Sequence, residues 1–427
     1  MSKPDAPRWP STSADTRRLA EPIVFPFSKR TAPNRFLKAA TSEHLATFDQ
    51  NDLKGRGIPK PELVRFYEVF GKGGWGQILT GNIQISYTDL EGAGNAIIPL
   101  DSEFSGPRFE AFAALAAAGK SNGSLIVGQV SHAGRQSPAS LQPHPISASA
   151  IQLVTAGSGP FGVPRAATQE DIDHVVKSFA HAAEYLEKAG YDGIQLHGAH
   201  GYLLAQFLSE STNQRTDKYG GSLENRMRIV LEVAAAIKKR VSEKFVLGIK
   251  INSVEFQEKG FQPEEAVILC QALETAGFDY VETSGGTYEI MGMKHEKEST
   301  EKRENYFIEF AERIRSAVTQ TKVYTTGGLK TVGGMLSTLD GVDGVGIGRA
   351  GIAEPALPAN ILSGKVTGVL KLAVPDSNFY GQLGLISYLV GPIGRGEEIP
   401  DVTDPKVVEE IFEGLKKASD RTLKLES

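Results

Sequence analysis

The chain has only one cysteine, Cys270, among its 427 residues. A single cysteine excludes an intramolecular disulfide framework and any zinc site built from several cysteines, and it fits a reducing compartment. Cys270 lies in the apolar run EEAVILCQAL, on the apolar side of a predicted helix. We therefore interpret it as a core residue and not as a nucleophile.

The chain also lacks long apolar runs and an excess of positive charge. No window approaches the roughly 18 uninterrupted apolar residues that a membrane span needs. The first 19 residues are polar, without the apolar run of a signal peptide, and the last four, KLES, match no lipidation or retention signal. The net charge of −5 gives no positive field for nucleic acid. We expect a cytoplasmic protein with neither membrane nor nucleic-acid partners.

What the chain does have is a regular alternation of β-rich runs and amphipathic helical stretches. The predicted strands are residues 36–40, 77–85, 125–130, 193–197, 245–251, 279–284, 323–326 and 344–348. Eight strands that alternate with about eight helices are the pattern of a (β/α)8 TIM barrel. A doubly wound sheet would need a glycine fingerprint after its first strand, where this chain has TSEHLAT. We therefore predict an α/β fold of the barrel type.

Three further segments are predicted from their composition. Residues 131–167 and 198–222 are too long to be turns, and both follow strands, so we expect insertions on the C-terminal face, where barrel enzymes do their chemistry. Residues 22–35 predict a small hairpin that closes the opposite end of the barrel. The tail contains one clear helical pattern, DPKVVEEIFEGLKKA.

Glycines and an arginine follow the last two predicted strands, at Gly327, Gly328, Gly348 and Arg349. Glycine lets backbone N–H groups approach an anion closely, and the arginine adds a charge-assisted donor. Each glycine pair alone also fits an ordinary tight turn. Their joint position is where barrels often bind phosphate, so we expect a phosphorylated ligand across the barrel mouth.

The segment YDGIQLHGAHGY places His197 and His200 where a strand finishes, with Tyr202 just beyond. A zinc site would need three or four ligands, and no third histidine or cysteine is near, so we predict no metal. Satisfied core histidines remain an alternative. The reading we favour is a pair of donors to one substrate oxygen, which would stabilise developing negative charge as an oxyanion hole does.

Several longer segments match a known family: APNRFLKAATSEH, LTGN, GQVSHAGRQS, DGIQLHGAHGYLLAQFLSESTNQRTDKYGGSLENR, SGGTYE, TTGGL and GIGRAGIAEPALP. In these segments the sequence resembles the Old Yellow Enzyme family of FMN-dependent oxidoreductases. The resemblance implies an FMN-binding barrel over residues 20–365, followed by a C-terminal extension with one helix over residues 366–427. It also implies that the FMN phosphate lies at Gly327, Gly328, Gly348 and Arg349.

The resemblance implies further contacts to the flavin ring. Gln129 matches the glutamine that hydrogen-bonds the pyrimidine, and Gly81 would bring backbone close to the ring. Ala40 and Ser42 match the end of the first strand, where Ser42 replaces a threonine or cysteine near flavin O4. Lys250 stands where an arginine often lies beside flavin N1 and O2; it keeps the charge but loses the fork geometry.

The implied reaction is reduction of the activated C=C bond of an α,β-unsaturated carbonyl compound, such as an enone, an enal or a quinone-like molecule. NAD(P)H would first reduce FMN, and the alkene would follow at the same face in ping-pong order. His197 and His200 would bind the carbonyl oxygen, and Tyr202 would protonate the α-carbon, unless its ring only packs against the loop. We expect a monomer or a homodimer.

Two alternatives remain open from the sequence. A relative with the same cofactor could act as a dehydrogenase or isomerase in a biosynthetic pathway. A flavin-free phosphate-binding barrel, such as an aldolase, would use Lys250 as its Schiff-base lysine.

We expect other polar residues of these segments to have structural roles and not to contact a substrate. His132 is assigned to the HAGR turn, and Asn213, Arg215 and Asp217 are expected to brace the second insertion. The remaining histidines are predicted to lie at the surface or on helix faces: His44, His144, His174, His181 and His295.

Overall fold

The computed structural model describes residues 6–11, 15–155, 159–252, 260–284 and 307–426, with side chains described as far as residue 417. The strands, in chain order, are β1 (Ile23–Val24), β2 (Thr31–Ala32), β3 (Phe36–Lys38), β4 (Gln77–Leu79), β5 (Ile83–Gln84), β6 (Ala96–Ile97), β7 (Leu125–Ser131), β8 (Ile146–Ser147), β9 (Arg165–Ala166), β10 (Gly193–Gly198), β11 (Val246–Asn252), β12 (Tyr280–Ser284), β13 (Lys322–Thr326) and β14 (Gly344–Ile347).

The helices, also in chain order, are α1 (Arg17–Ala20), α2 (Pro61–Gly71), α3 (Gly106–Gly119), α4 (Gln169–Lys188), α5 (Leu203–Leu208), α6 (Leu223–Arg226), α7 (Arg228–Lys238), α8 (Pro263–Thr275), α9 (Ile308–Ala317), α10 (Val332–Thr338), α11 (Arg349–Ala353), α12 (Leu357–Leu362), α13 (Phe379–Arg395) and α14 (Pro405–Glu426).

Eight parallel strands close into a barrel. Their order around it is β3, β4, β7, β10, β11, β12, β13 and β14, and β14 pairs with β3 to complete the ring. Strands β7, β10, β11 and β12 are buried along their whole length. This is expected for strands that face a packed interior on one side and helices on the other. The predicted (β/α)8 TIM barrel is confirmed.

Local sequence signals set the helix boundaries. Thr168 forms a capping box with Asp171 at the start of α4, since its side chain accepts from the Asp171 N–H and the Asp171 carboxylate accepts from the Thr168 N–H. The chain leaves α4 through Gly190, whose φ of 92° suits glycine. These signals position the strand that follows, β10, which carries the histidine pair.

The N-terminal hairpin closes one end of the barrel. Strands β1 and β2 pair antiparallel, and Phe25 packs against Tyr280 with ring centroids 5.6 Å apart. The carboxylate of Asp279, at the start of β12, accepts from the N–H groups of Phe27 and Ser28 at 2.9 Å each. The hairpin therefore closes the end of the barrel where the strands begin, as predicted. The opposite end, where the strands finish, stays open to the two insertions.

The two insertions, residues 131–167 and 198–222, are joined by hydrogen bonds at the C-terminal end of the barrel. Arg215 donates to the carbonyl oxygens of Ala148 and Ala167 at 3.0 and 2.7 Å. Asn213 donates to the carbonyl oxygens of Phe207 and Tyr219. Asp217 accepts from Nε of Arg215 and from the Tyr219 N–H at 3.0 Å each, so the expectation that Asn213, Arg215 and Asp217 brace this insertion is confirmed.

The C-terminal extension contains two helices, α13 and α14, whereas the sequence predicted one. The sequence of α13 includes several glycines and Pro392, which weaken intrinsic helix propensity. It is stabilised instead by burial of one face, including Leu385, Leu389 and Ile393, in packing that involves α2 and α11. Tertiary packing therefore stabilises helix α13, which local helix propensity did not predict. Within the described residues, no helix is both long enough and apolar enough to cross a bilayer.

Candidate active site

A cavity of about 530 Å³ lies at the C-terminal ends of the barrel strands. Its size falls in the range of small-molecule sites, about 300–1,000 Å³. Every one of the eight barrel strands contributes to the wall, either by itself or through the residues just after it: Ala40, Asn82, Gln129, His197, Lys250, Ser284, Thr326 and Ile347. The closed barrel thus brings residues far apart in sequence to one mouth.

His197 and His200 both line this cavity, with ring centroids 5.2 Å apart. The N–H of Ala199 donates to Nδ1 of His197 at 3.3 Å, so the neutral ring carries its proton on Nε2. Nε2 of His200 lies 3.0 Å from Oγ of Ser284. His200 also has a φ of 56°, held by its N–H donating to Oδ1 of Asn252 at 2.9 Å. A strained backbone fixed by its surroundings is common at functional sites.

Burial keeps both rings neutral. It holds the pKa of His197 well below its usual range, with the nearby His200 and Lys250 adding to the effect. Burial, followed by the charge of Lys250, lowers the pKa of His200 to about 3. At neutral pH each ring therefore carries one N–H, which makes the pair suited to donating hydrogen bonds and unsuited to releasing protons.

Tyr202 is buried beside this pair. Its ring centroid lies 4.6 Å from that of His197, and its hydroxyl donates to Oε2 of Glu91 at 3.0 Å. Asn82 donates to the same carboxylate oxygen. On the other side of the carboxyl group, Nε2 of His44 lies 3.6 Å from Oε1 of Glu91. All of these residues line the cavity.

The three glycines and the one arginine predicted to hold phosphate meet at another part of the wall. Gly327, Gly328, Gly348 and Arg349 all line the cavity. Gly327 and Gly328 have φ values of 138° and 79°, which other residues rarely adopt. A Cβ at Gly348 would project into open space, with no other atom within 4 Å, so glycine leaves room there for a ligand.

Helix α13 and the N-terminal segment complete this part of the wall. Arg349 donates to Oε1 of Gln382 at 2.6 Å and stacks on Phe379, with its guanidinium carbon 5.3 Å from the ring centroid. Lys330 forms an ion pair with Asp376 at 2.5 Å and lies over the ring of Trp9. The C-terminal extension therefore forms part of the site.

The side chains of five strands, β7 and β10 to β13, form a hydrogen-bonded floor beneath the cavity. Gln129 donates to Gln195 at 2.6 Å, and Gln195 donates to Glu282 at 2.9 Å. Glu282 also accepts from Thr326 at 2.7 Å and pairs with Lys250 at 3.2 Å. The Lys250–Glu282 pair is almost fully buried, with side-chain exposures of 5% and 0%. The floor is rigid because its partners are held by strand register.

At the end of the first strand, Ala40 and Ser42 line the cavity, whereas Gly81, after the next strand, does not. The N–H of Gly81 donates to Oε1 of Glu43 at 2.8 Å and to the Tyr67 hydroxyl at 2.9 Å. A Cβ at Gly81 would lie 2.2 Å from Oε2 of Glu43. The close approach of Glu43 therefore accounts for this glycine, and its contact with a flavin ring stays a prediction.

Sequence reasoning missed several residues of the site. His44 was assigned to the surface; its side chain is 42% exposed, yet it lines the cavity beside Glu91. Glu91, Asn82 and Gln382 were not singled out. His44 and Glu91 belong to connections after different strands, and nothing in their local pattern indicates that they meet.

Two other predictions remain. His132 accepts a hydrogen bond from the Gly134 N–H within its turn, and residues 285–289 of the SGGTYE segment lie outside the described residues.

Over the described parts of the chain, no group of three or more histidine, cysteine, aspartate or glutamate residues is arranged to hold a metal ion.

Comparison with known families gives one match that spans most of the chain. The model of the NADH:flavin oxidoreductase / NADH oxidase family matches residues 19–367. The chain is 45% identical over 402 residues to the NADH-dependent flavin oxidoreductase nadA of Aspergillus parasiticus, covering 93% of this chain and 90% of that protein. It is 33% identical to the NADH-dependent flavin oxidoreductase iccE of Talaromyces variabilis, covering 78% of this chain and 83% of the relative.

Among solved structures, the chain is similar to morphinone reductase. The TM-score is 0.67 at 24% identity, and the likeness covers 84% of this chain and 92% of the other. At this identity the likeness shows the barrel fold alone.

Proposed function

The chain belongs to the NADH:flavin oxidoreductase / NADH oxidase family, and from that membership we propose that it reduces the activated C=C bond of an α,β-unsaturated carbonyl compound. As a member of the family it is an oxidoreductase that uses FMN, with NAD(P)H as the reductant. The substrate class, the ping-pong order and the roles of individual residues are our proposal.

The cavity fits FMN by its chemistry. Gly327, Gly328, Gly348 and Arg349 offer backbone and guanidinium donors at one part of the wall, as a phosphate requires. Gln129 offers an amide to a planar ring of donors and acceptors at the floor. Lys250 places a buried cation near that amide, where it would stabilise negative charge on a reduced ring. Ala40 and Ser42 would lie at the ring edge.

When bound, FMN would supply hydride transfer between NAD(P)H and the β-carbon of the alkene. His197 and His200 would donate hydrogen bonds to the carbonyl oxygen, which gains negative charge as the β-carbon accepts the hydride. Tyr202 would then give its hydroxyl proton to the α-carbon. Both substrates would use the same cavity in turn, which gives ping-pong kinetics.

One observation carries this proposal: two neutral histidines and a buried tyrosine hydroxyl share the mouth of a flavin-family barrel. Neutral donors suit a carbonyl oxygen that is becoming an anion, and the phenol is a separate proton source. An aldolase-type reaction lacks comparable support, because Nζ of Lys250 is engaged by Glu282 at 3.2 Å.

The experiment is to purify the protein and record its visible spectrum, then test a panel of enones, enals and quinones with NADH and with NADPH. We expect a bound flavin that separates on denaturation as free FMN, and reduction of the C=C bond in at least one compound of the panel. Protein that contains no flavin and takes up no FMN would contradict the proposal. So would a loaded enzyme that NAD(P)H reduces but that converts none of these alkenes.

A further inference from the structure

As the proposed proton donor, Tyr202 must recover a proton after every turnover, and the residue is only 4% exposed. We propose that Glu91 and His44 form a relay that carries this proton from solvent to the Tyr202 hydroxyl. The inference rests on the proposed function, because it takes Tyr202 as the proton donor to the alkene. It assigns a role to two residues that the hydride step itself does not use.

The carboxyl group of Glu91 faces both ends of the route. Oε2 accepts the Tyr202 hydroxyl at 3.0 Å, and Oε1 lies 3.6 Å from Nε2 of His44. The Glu91 side chain is only 8% exposed, and Asn82 donates to the same oxygen, Oε2. A buried carboxylate held between a phenol and an imidazole can pass a proton from one to the other.

His44 is suited to the outer end of the relay. Its Nδ1 lies 3.1 Å from the carbonyl oxygen of Ala93, which can only accept, so Nδ1 carries a hydrogen. The proton that comes and goes is therefore the one on Nε2, the nitrogen that faces Glu91. The side chain of His44 is 42% exposed, so the imidazole can exchange protons with water.

The backbone conformation at His44 and the glycines after Glu91 allow the side chains of His44 and Glu91 to approach each other. His44 has a φ of 54°, an uncommon conformation for a residue with a side chain. A Cβ at Gly92 would lie 2.7 Å from Cε1 of His44, and a Cβ at Gly94 would lie 2.6 Å from the His44 carbonyl oxygen. Two glycines and a strained histidine bring the loops after β3 and β5 into contact. Strain held in this way is a feature of functional sites.

The transfer balances in atoms and charge. The Tyr202 O–H bond breaks as the α-carbon–H bond forms, which leaves a phenolate beside the Glu91 carboxylate. A proton from water adds to Nε2 of His44, passes to Oε1 of Glu91 and reaches the phenolate after the carboxyl group rotates and exchanges its two oxygens. The net result is one solvent proton taken up per alkene reduced, with Tyr202, Glu91 and His44 restored.

The test separates the first turnover from later ones. In Glu91→Gln, Tyr202 keeps a neutral hydrogen-bond acceptor and starts with its own proton. The first reduction of an enone by the pre-reduced enzyme should therefore run at nearly the wild-type rate. Steady-state turnover should fall by about tenfold or more, in line with the loss of a proton-transfer group. His44→Ala should show the same pattern, and added imidazole should restore the steady-state rate.

The matched control is Asp101→Asn. Tyr87 donates to Asp101 at 3.1 Å, which is the same kind of contact outside the cavity wall. This variant should match the wild type in both phases. A Glu91→Gln enzyme whose first and later turnovers slow equally would show that Glu91 only positions Tyr202, and the relay would be rejected. Equal wild-type rates in both phases would also reject it, whereas a wild type without enone reduction would count against the proposed function instead.

A second measurement needs no substrate. Nitrogen-15 NMR of histidine-labelled protein should show His44 with its hydrogen on Nδ1. A resting enzyme in which neutral His44 carries its hydrogen on Nε2 would contradict the relay, since Nε2 could not then accept the incoming proton.

Discussion

His197 keeps its proton on Nε2 because Nδ1 is occupied by the Ala199 N–H. This makes His197 a fixed donor, and the depressed pKa values keep both rings neutral across neutral pH. A protonated imidazole beside the substrate would compete with Tyr202 as the acid. A neutral pair avoids this competition, which is consistent with the proposal that the Tyr202 phenol is the acid.

The two histidines are not expected to respond equally to substitution. His197→Ala removes a donor outright and should lower kcat/KM for an enone by about 10²-fold, the usual cost of one oxyanion donor. His200→Asn should lose less than about tenfold, because the amide can still donate. Steady-state kinetics on one enone measures both, with His144→Ala, an exposed residue outside the cavity wall, as the control. A larger loss in His200→Asn than in His197→Ala would overturn this ranking.

Strand register determines which side chains meet at the floor. His197 on β10 pairs with Lys250 on β11, and Lys250 pairs with Glu282 on β12. The sequence placed Lys250 near the end of a strand but did not identify its partner, because register across three strands is not visible in any one of them. Glu282 explains how a lysine can be buried at that position.

Substitutions in the Lys250–Glu282 pair can distinguish its effect on stability from its effect on flavin reduction. Lys250→Met leaves a buried carboxylate without its cation, which should cost about 3–5 kcal/mol in the free energy of unfolding. Adding Glu282→Gln should recover most of that stability, since the uncompensated charge is removed. The double variant should still be slow in flavin reduction, because it lacks the cation that we propose lies near the flavin ring. Denaturant unfolding and anaerobic reduction by NADH measure the two effects. A double variant no more stable than Lys250→Met would contradict this account.

For the molecule as a whole, hydrophobic periodicity was enough to predict the barrel. Each predicted strand overlaps a strand of the closed sheet, and the mouth gathers His197, His200 and Tyr202 as expected. The ends of parallel strands converge in any barrel, so residues at strand ends could be placed together. The contact between His44 and Glu91 could not be predicted, because it depends on the path of two loops. Helix α13 was missed because packing, and not propensity, stabilises it.

The central claim is that Tyr202 gives its proton to the alkene and takes no part in flavin reduction. Anaerobic stopped-flow measurement of the two half-reactions, in the wild type and in Tyr202→Phe, tests it most directly. We predict nearly unchanged flavin reduction by NAD(P)H in the variant, with reoxidation by an enone slowed by about 10²-fold. An equal loss in both half-reactions, or no loss in either, would contradict the account.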